Sequence, residues 1–131
     1  QQSHPPEEII VVDDGSRDAT PQILEGYRGG IRVIRQGNKG IGAALNTGIQ
    51  AAGGNVLAFL DADDLWVKDK IQLQLNTMRA EKADMVFGMM ENFISPELTE
   101  EERKDLLFPT QAIPGFSTSA LLIKRSDFEL V

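Results

Sequence analysis

Val56-Leu-Ala-Phe-Leu60 runs straight into Asp61-Ala-Asp-Asp64, and the reading of this junction decides the fold. A short unbroken apolar run is the pattern of a strand covered on both faces, as in a parallel sheet. The carboxylates then fall at the carboxyl end of that strand. Val67 to Ala80 follows with Ile71, Leu75 and Met78 at i, i+4 and i+7, the spacing of a helix with one apolar stripe.

The same unit occurs twice upstream. Glu8-Ile-Ile-Val-Val-Asp13 predicts a strand ending in carboxylates and then Gly15-Ser16. Thr20-Pro21 reads as an N-cap and a proline at the first helical position, with Ile23, Leu24 and Tyr27 as the stripe up to Gly29-Gly30. Ile31 to Ile34 is the next strand, and Gly42 to Ala52 a small-residue helix with Ala44, Leu45, Gly48, Ile49 and Ala52 at helical spacing. Downstream, Asp84 to Met90 is a fourth strand, Pro96 to Leu107 an acidic helical insertion, and Thr118 to Lys124 a further strand. Alternation of this kind predicts an α/β fold in a single domain spanning 1–131, with a Rossmann-like, mostly parallel sheet and helices on both faces. In such sheets ligands sit outside the carboxyl ends of the strands. Both acidic clusters occupy that position.

Composition limits the function. The chain has 131 residues, 41% hydrophobic and 25% charged, the balance of one globular domain with a modest core. A net charge of −7 is the wrong sign for a surface that neutralises phosphate backbones, so nucleic acid is excluded as a partner. There is no cysteine, hence no disulfide and no thiolate metal site. The apolar runs are far too short to span a membrane. Some of the acidity, Glu97 to Glu102, is a solvated face; Asp13, Asp14, Asp61, Asp63 and Asp64 each follow an apolar run and need another account.

Asp61 and Asp63, two residues apart at a strand end, can aim at one spot once the chain bends. Two carboxylates about 4 Å apart repel by roughly 1 kcal/mol in water and by several times that in a partly dry cleft. A hard divalent ion relieves that cost. Mg2+ or Mn2+ is commonly held by one or two carboxylates together with substrate phosphates and water, which makes a diphosphate ester the natural third partner. The competing reading is structural: Asp63 or Asp64 caps the helix that opens near Trp66. Asp13-Asp14-Gly15-Ser16 is equally double. It is either a tight turn in which an aspartate bonds backbone amides, or a carboxylate accepting hydrogen bonds from a base N–H or ribose hydroxyls.

Taken together, four stretches make the sequence recognisable. Val11-Val-Asp-Asp-Gly-Ser-Arg-Asp18, Asn38-Lys-Gly40, Asn46-Thr-Gly-Ile49 and Phe59-Leu-Asp-Ala-Asp-Asp-Leu-Trp66 resemble, in order and spacing, the inverting family-2 glycosyltransferases of GT-A fold. The likeness is strong over Glu7 to Asp63 and looser beyond. It implies transfer of a sugar from a nucleotide-diphosphate sugar, a UDP-sugar first of all, to a hydroxyl of a glycan or lipid-linked acceptor, in polysaccharide or cell-envelope glycan synthesis. It also implies a cytoplasmic protein, peripheral at the membrane in full length. By the resemblance Asp14, with Asp13 beside it, takes the base edge, Asp61 the ribose, and Asp63 the metal, with Asp61 beside it. Lys39 falls near the nucleotide, and Gly115 to Thr118 near the donor sugar or acceptor. The metal would stabilise the departing nucleoside diphosphate.

Three departures accompany the likeness. The family's catalytic base is an Asp beyond the segment resembling Lys124 to Val131, so the sequence predicts that this chain alone binds donor and metal without turnover. The family's first strand, which lies between the strands ending at Asp13 and Leu60, is absent. That leaves two ladders open at roughly 1 to 3 kcal/mol per orphaned buried group. A longer parent protein is the favoured explanation, the others being direct closure of the two strands, or a homodimer or other strand-completing partner. Leu45 stands where many members have Arg.

Rival readings are weaker. Gly40-Ile-Gly-Ala-Ala-Leu45 imitates a dinucleotide fingerprint but lacks its third glycine. A phosphatase with Asp61 as nucleophile leaves Asp13-Asp14-Gly15-Ser16 unexplained. A nucleotide-binding scaffold that never turns over differs in class, and an assay of binding against transfer separates it. His4 reads as a solvated loop residue, Trp66 as packed against the sheet, and Met85, Met89 and Met90 as core or edge filler.

Overall fold

The computed structural model describes residues 1–27, 29–103 and 111–128. The chain divides into two compact units, one of Gln1–Ser3 with Ala58–Ile123, the other of His4–Leu57 with Lys124–Val131.

In the unit containing His4–Leu57, β1 (Ile10–Asp13) pairs in parallel with β2 (Arg32–Arg35), with Val11 opposite Val33 and Asp13 opposite Arg35. The crossover carries α1 (Thr20–Glu25), and α2 (Ile41–Ala51) leads to β3 (Val56–Ala58). α2 lies against β1 at Gly48, where a Cβ would make ordinary contact with Val12 Cγ2 at 3.5 Å. Ile49 and Leu57 are the buried apolar residues of this unit. Glu8 Oε1 accepts the backbone N–H groups of Gly53 and Gly54 at 2.6 and 3.2 Å, anchoring the start of β1 beside the end of α2. Arg125, at the head of α5 (Arg125–Phe128), donates its backbone N–H to Asn55 O at 2.9 Å.

The other unit is built on α3 (Lys70–Ala80), β4 (Met85–Phe87) and β7 (Leu121–Lys124). β7 runs antiparallel to β4, Val86 opposite Leu122. Ile71 and Met78 of α3, with Ala120, Leu122 and Ile123, are the buried apolar residues of this unit. A second ladder joins β5 (Met89–Met90) to β6 (Ile113–Pro114), and α4 (Glu100–Arg103) lies between them in sequence. Thr99 and Glu102 form a reciprocal cap at its start, the Thr99 N–H reaching Glu102 Oε2 at 2.8 Å and the Glu102 N–H reaching Thr99 Oγ1 at 3.3 Å.

The elements fall in the expected order, with local corrections. α1 opens at Thr20, whose N–H is taken by Asp18 Oδ1 at 2.9 Å, so Asp18 does the work assigned to Thr20. α3 opens at Lys70, not Val67: 64–67 are irregular and Lys68 and Asp69 form a turn ahead of it. Ile10 to Val12 are half-buried, since among the described residues β1 pairs with β2 alone. Met85 and Met89 are exposed, hence edge residues and not core. The helical reading of Pro96 to Leu107 holds for Glu100–Arg103; its end at 104–107 lies outside the described residues, as does 129–131 of the final segment.

Candidate functional site

β1 delivers Asp13 and Asp14 at its carboxyl end, and the pleat sends their side chains opposite ways. Asp13 turns inward and is only 4% exposed. Its Oδ1 accepts the Ser16 N–H at 2.8 Å, closing the turn, while Arg35 Nε lies 3.3 Å from Oδ2. The contact with Arg35 is ionic only, because Oδ2 receives no hydrogen bond among the described residues. The Ser16 hydrogen bonds, with Arg35 in support, hold this carboxyl below its usual range. Asp13 thus works on the protein itself.

Asp14 faces the loop between β2 and α2. Oδ1 accepts from Gln36 Nε2 at 2.8 Å and from the Lys39 N–H at 2.9 Å, and Oδ2 accepts the Gly40 N–H at 2.8 Å. These bonds, Gln36 foremost, lower its pKa. A carboxylate offers about four acceptor positions, so one on Oδ2 stays open to a ligand donor. Gly15 permits the approach: its φ is +84°, and a Cβ would stand 2.8 Å from the Asn38 backbone nitrogen. The separate Asp-Asp-Gly-Ser and Asn-Lys-Gly stretches are therefore one structure. Lys39 joins it through its backbone, with its side chain exposed. Thr47, from Asn46-Thr-Gly-Ile49, extends the network by donating to Gln36 Oε1 at 2.7 Å. Gln36 carried no signal in the sequence, being one polar residue in a polar loop.

Asp61 and Asp63 belong to the other unit. Asp61 is half-buried; its N–H donates to Ser119 Oγ at 2.9 Å, and its two carboxylate oxygens lie 3.3 and 3.2 Å from the Thr118 hydroxyl. Its carbonyl accepts the Asp64 N–H at 3.2 Å, a turn that exposes Asp63. Among the described residues nothing pairs with the Asp63 carboxylate. The helix-cap reading fails, because α3 begins only at Lys70 and its N-cap position is Asp69, well past both Asp63 and Asp64. Thr118, from the Gly115 to Thr118 stretch, does reach a predicted site residue. Ser119, which bonds the Asp61 N–H, and Gln74, which bonds Ala120 O, are positions the sequence did not mark. Trp66 donates its indole N–H to Ser119 O at 2.9 Å, and the Lys70 ammonium sits 4.3 Å from its ring centre.

Among the described residues no three His, Cys, Asp or Glu side chains gather as a self-sufficient metal cage. A site of one or two carboxylates completed by phosphates and water does not require one. Hard oxygen donors at Asp61 and Asp63, the latter exposed and unpaired, suit Mg2+ or Mn2+. His4 is exposed, as expected of a loop residue.

An α/β fold with acidic side chains just past its strand ends defines a ligand-binding protein of the Rossmann-like class. The chain belongs to glycosyl transferase family 2, whose model matches residues 1–128, and its fold is accordingly of the GT-A type. It is similar to the uncharacterised glycosyltransferase alr2836 of Nostoc sp. (strain PCC 7120), 48% identical over 54% of this chain and 23% of that protein. It also resembles TuaG of Bacillus subtilis (strain 168), a glycosyltransferase whose name connects it with teichuronic acid biosynthesis, at 44% identity over 59% of this chain and 32% of TuaG. A third relative is WfgD of Escherichia coli, named a UDP-Glc:alpha-D-GlcNAc-diphosphoundecaprenol beta-1,3-glucosyltransferase, 34% identical over 64% of this chain and 34% of WfgD. The chain thus matches about a quarter to a third of the length of these relatives. Among the described residues no helix is long and apolar enough to cross a membrane.

Proposed function

We propose that this chain supplies the donor-binding part of an inverting glycosyltransferase that transfers a sugar from a nucleotide-diphosphate sugar to an acceptor hydroxyl. UDP-sugar is the donor class, and a glycan or lipid-linked acceptor of the cell envelope is the acceptor class. The name of WfgD and the name of TuaG support this choice. The observation that carries the reading is the exposed, unpaired Asp63 beside an Asp61 whose backbone is tied to Ser119.

Asp14 takes a base N–H on its open Oδ2 position, with Asp13 holding the turn that presents it. Asp61 takes the ribose hydroxyls, and Lys39 adds positive charge near the diphosphate. Asp63, with Asp61, holds Mg2+ or Mn2+. When bound, the ion supplies Lewis-acid stabilisation of the departing nucleoside diphosphate. The chain's own residues bind and orient the donor.

The test is calorimetric titration of UDP with and without Mn2+ into the wild-type chain and Asp63→Ala. Loss of the metal-dependent affinity in a folded variant is expected; an unchanged metal-dependent affinity would overturn the metal assignment.

A further inference from the structure

Asp61 follows β3 on a stretch with no regular ladder of its own, yet a donor ligand has to be met by a carboxylate in a fixed place. The fixing comes from far along the chain. Ser119, 7% exposed and in a short 3-10 turn (Thr118–Ala120), accepts the Asp61 N–H on Oγ at 2.9 Å. The turn is itself gripped from two positions. Trp66 donates its indole N–H to Ser119 O at 2.9 Å, and the buried Gln74 of α3 donates to Ala120 O at 2.7 Å and to Val86 O at 3.1 Å. Lys70, between them in sequence, covers the Trp66 ring and donates to Gln74 Oε1 at 2.7 Å.

The Ser119 hydroxyl is spent on Asp61, the Trp66 indole N–H on the turn, and the Gln74 amide on the turn and on Val86 of β4. A structural purpose alone would be met by apolar packing, since buried polar groups stabilise only when fully satisfied. We propose that Ser119 is a positioning residue for donor binding, acting through the Asp61 backbone, and that Trp66 sets Ser119 by holding its carbonyl. This rests on the reading of Asp61 as a donor ligand. Removing the Ser119 hydroxyl leaves the Asp61 N–H without its acceptor and loosens the backbone that carries the carboxylate, while the carboxylate keeps its chemistry and its contact with the Thr118 hydroxyl.

Trp66 is the only tryptophan in the chain, so its indole N–H gives a single NMR signal that reports on the bracket. The experiment titrates Mg2+ and UDP into wild type, Ser119→Ala and Trp66→Phe, following affinity, thermal unfolding and the Asp61 amide resonance. In wild type the indole signal shifts on titration. In each variant the affinity falls about ten-fold, the size expected of one lost hydrogen bond in the site, and the unfolding midpoint drops by a few degrees with the fold retained at the titration temperature. A folded Ser119→Ala with wild-type affinity overturns the inference; should that variant fail to fold, wild-type affinity in Trp66→Phe does so instead. Absence of any metal-dependent UDP binding in wild type overturns the donor-site reading and the inference with it, which sets that failure apart from the variant results.

Discussion

Gly40 donates its backbone N–H to Oδ2 of Asp14 at 2.8 Å, joining residues 26 positions apart. The bond exists because Gly40 adopts φ 87° and ψ 163°, a region essentially restricted to glycine. Gly40→Ala should therefore cost about 1 to 3 kcal/mol of stability, read as a lower denaturant midpoint. A change within about 0.5 kcal/mol, the range of an ordinary surface substitution, would contradict this account of the loop.

Asp14→Asn tests the same loop from the other side. The amide keeps one acceptor, best placed where Gln36 and the Lys39 N–H meet it, and turns its NH2 group toward the Gly40 N–H, so the Gly40 amide should lose most of its protection from hydrogen exchange. In wild type the folded pKa of Asp14 is lowered, chiefly by Gln36 and then by the two amides. The sign follows: the stabilisation is complete above the ordinary carboxylate value of 3.8 and disappears only as pH falls through the lowered folded value. Protection of Gly40 at pH 4 should match that at pH 6 once intrinsic exchange is corrected. Equal protection in Asp14→Asn and wild type would refute the bridging role.

Much of this was legible in the residues, and the part that was not has a physical cause. Apolar runs and turn residues are local, so the order of strands and helices and the acidic strand ends could be read from β1 and β3 onward. Capping was misassigned by a residue or more at Thr20 and at Asp63 and Asp64, because aspartate and threonine suit caps and turns alike and only backbone geometry separates them. Gln36, Gln74 and Ser119 could not be found at all. Their partners are distant in sequence, up to 58 residues for Ser119 and Asp61, and a lone polar residue has no period to betray it.

Gly115 presents a packing prediction. It is buried, and a Cβ would stand 2.7 Å from Ala120 Cβ and 2.5 Å from Met90 Cγ. Met90 can swing aside, but the Ala120 Cβ is fixed to the backbone of the turn carrying Ser119. Gly115→Ala should destabilise by about 1 to 3 kcal/mol, as overpacking does, and shift the Trp66 indole signal through that turn. Gly115→Ala combined with Ala120→Gly should recover part of the loss. No recovery in the double variant would place the strain elsewhere.

Lys70 offers a pH test of the bracket beside Asp61. Burial lowers its pKa from 10.5 to about 8, since a half-covered ammonium has lost part of its hydration. The face of the Trp66 ring favours the charged form and opposes this, but does not cancel it. Between about pH 8 and the ordinary value of 10.5 the unfolded chain binds more protons at this residue than the folded one. Stability contributed by Lys70 therefore rises across that window and is flat below it. Solvent still reaches the amine, which keeps the effect modest. Lys70→Met removes the titrating group, so subtracting its urea-derived unfolding free energies from those of wild type isolates the lysine from every other base. The difference should grow in favour of wild type from pH 8 to pH 10.5, and the side-chain amine should titrate near pH 8 by NMR. A difference independent of pH, with an amine midpoint near 10.5, would mean that Lys70 is as hydrated as a surface lysine and does not close over Trp66.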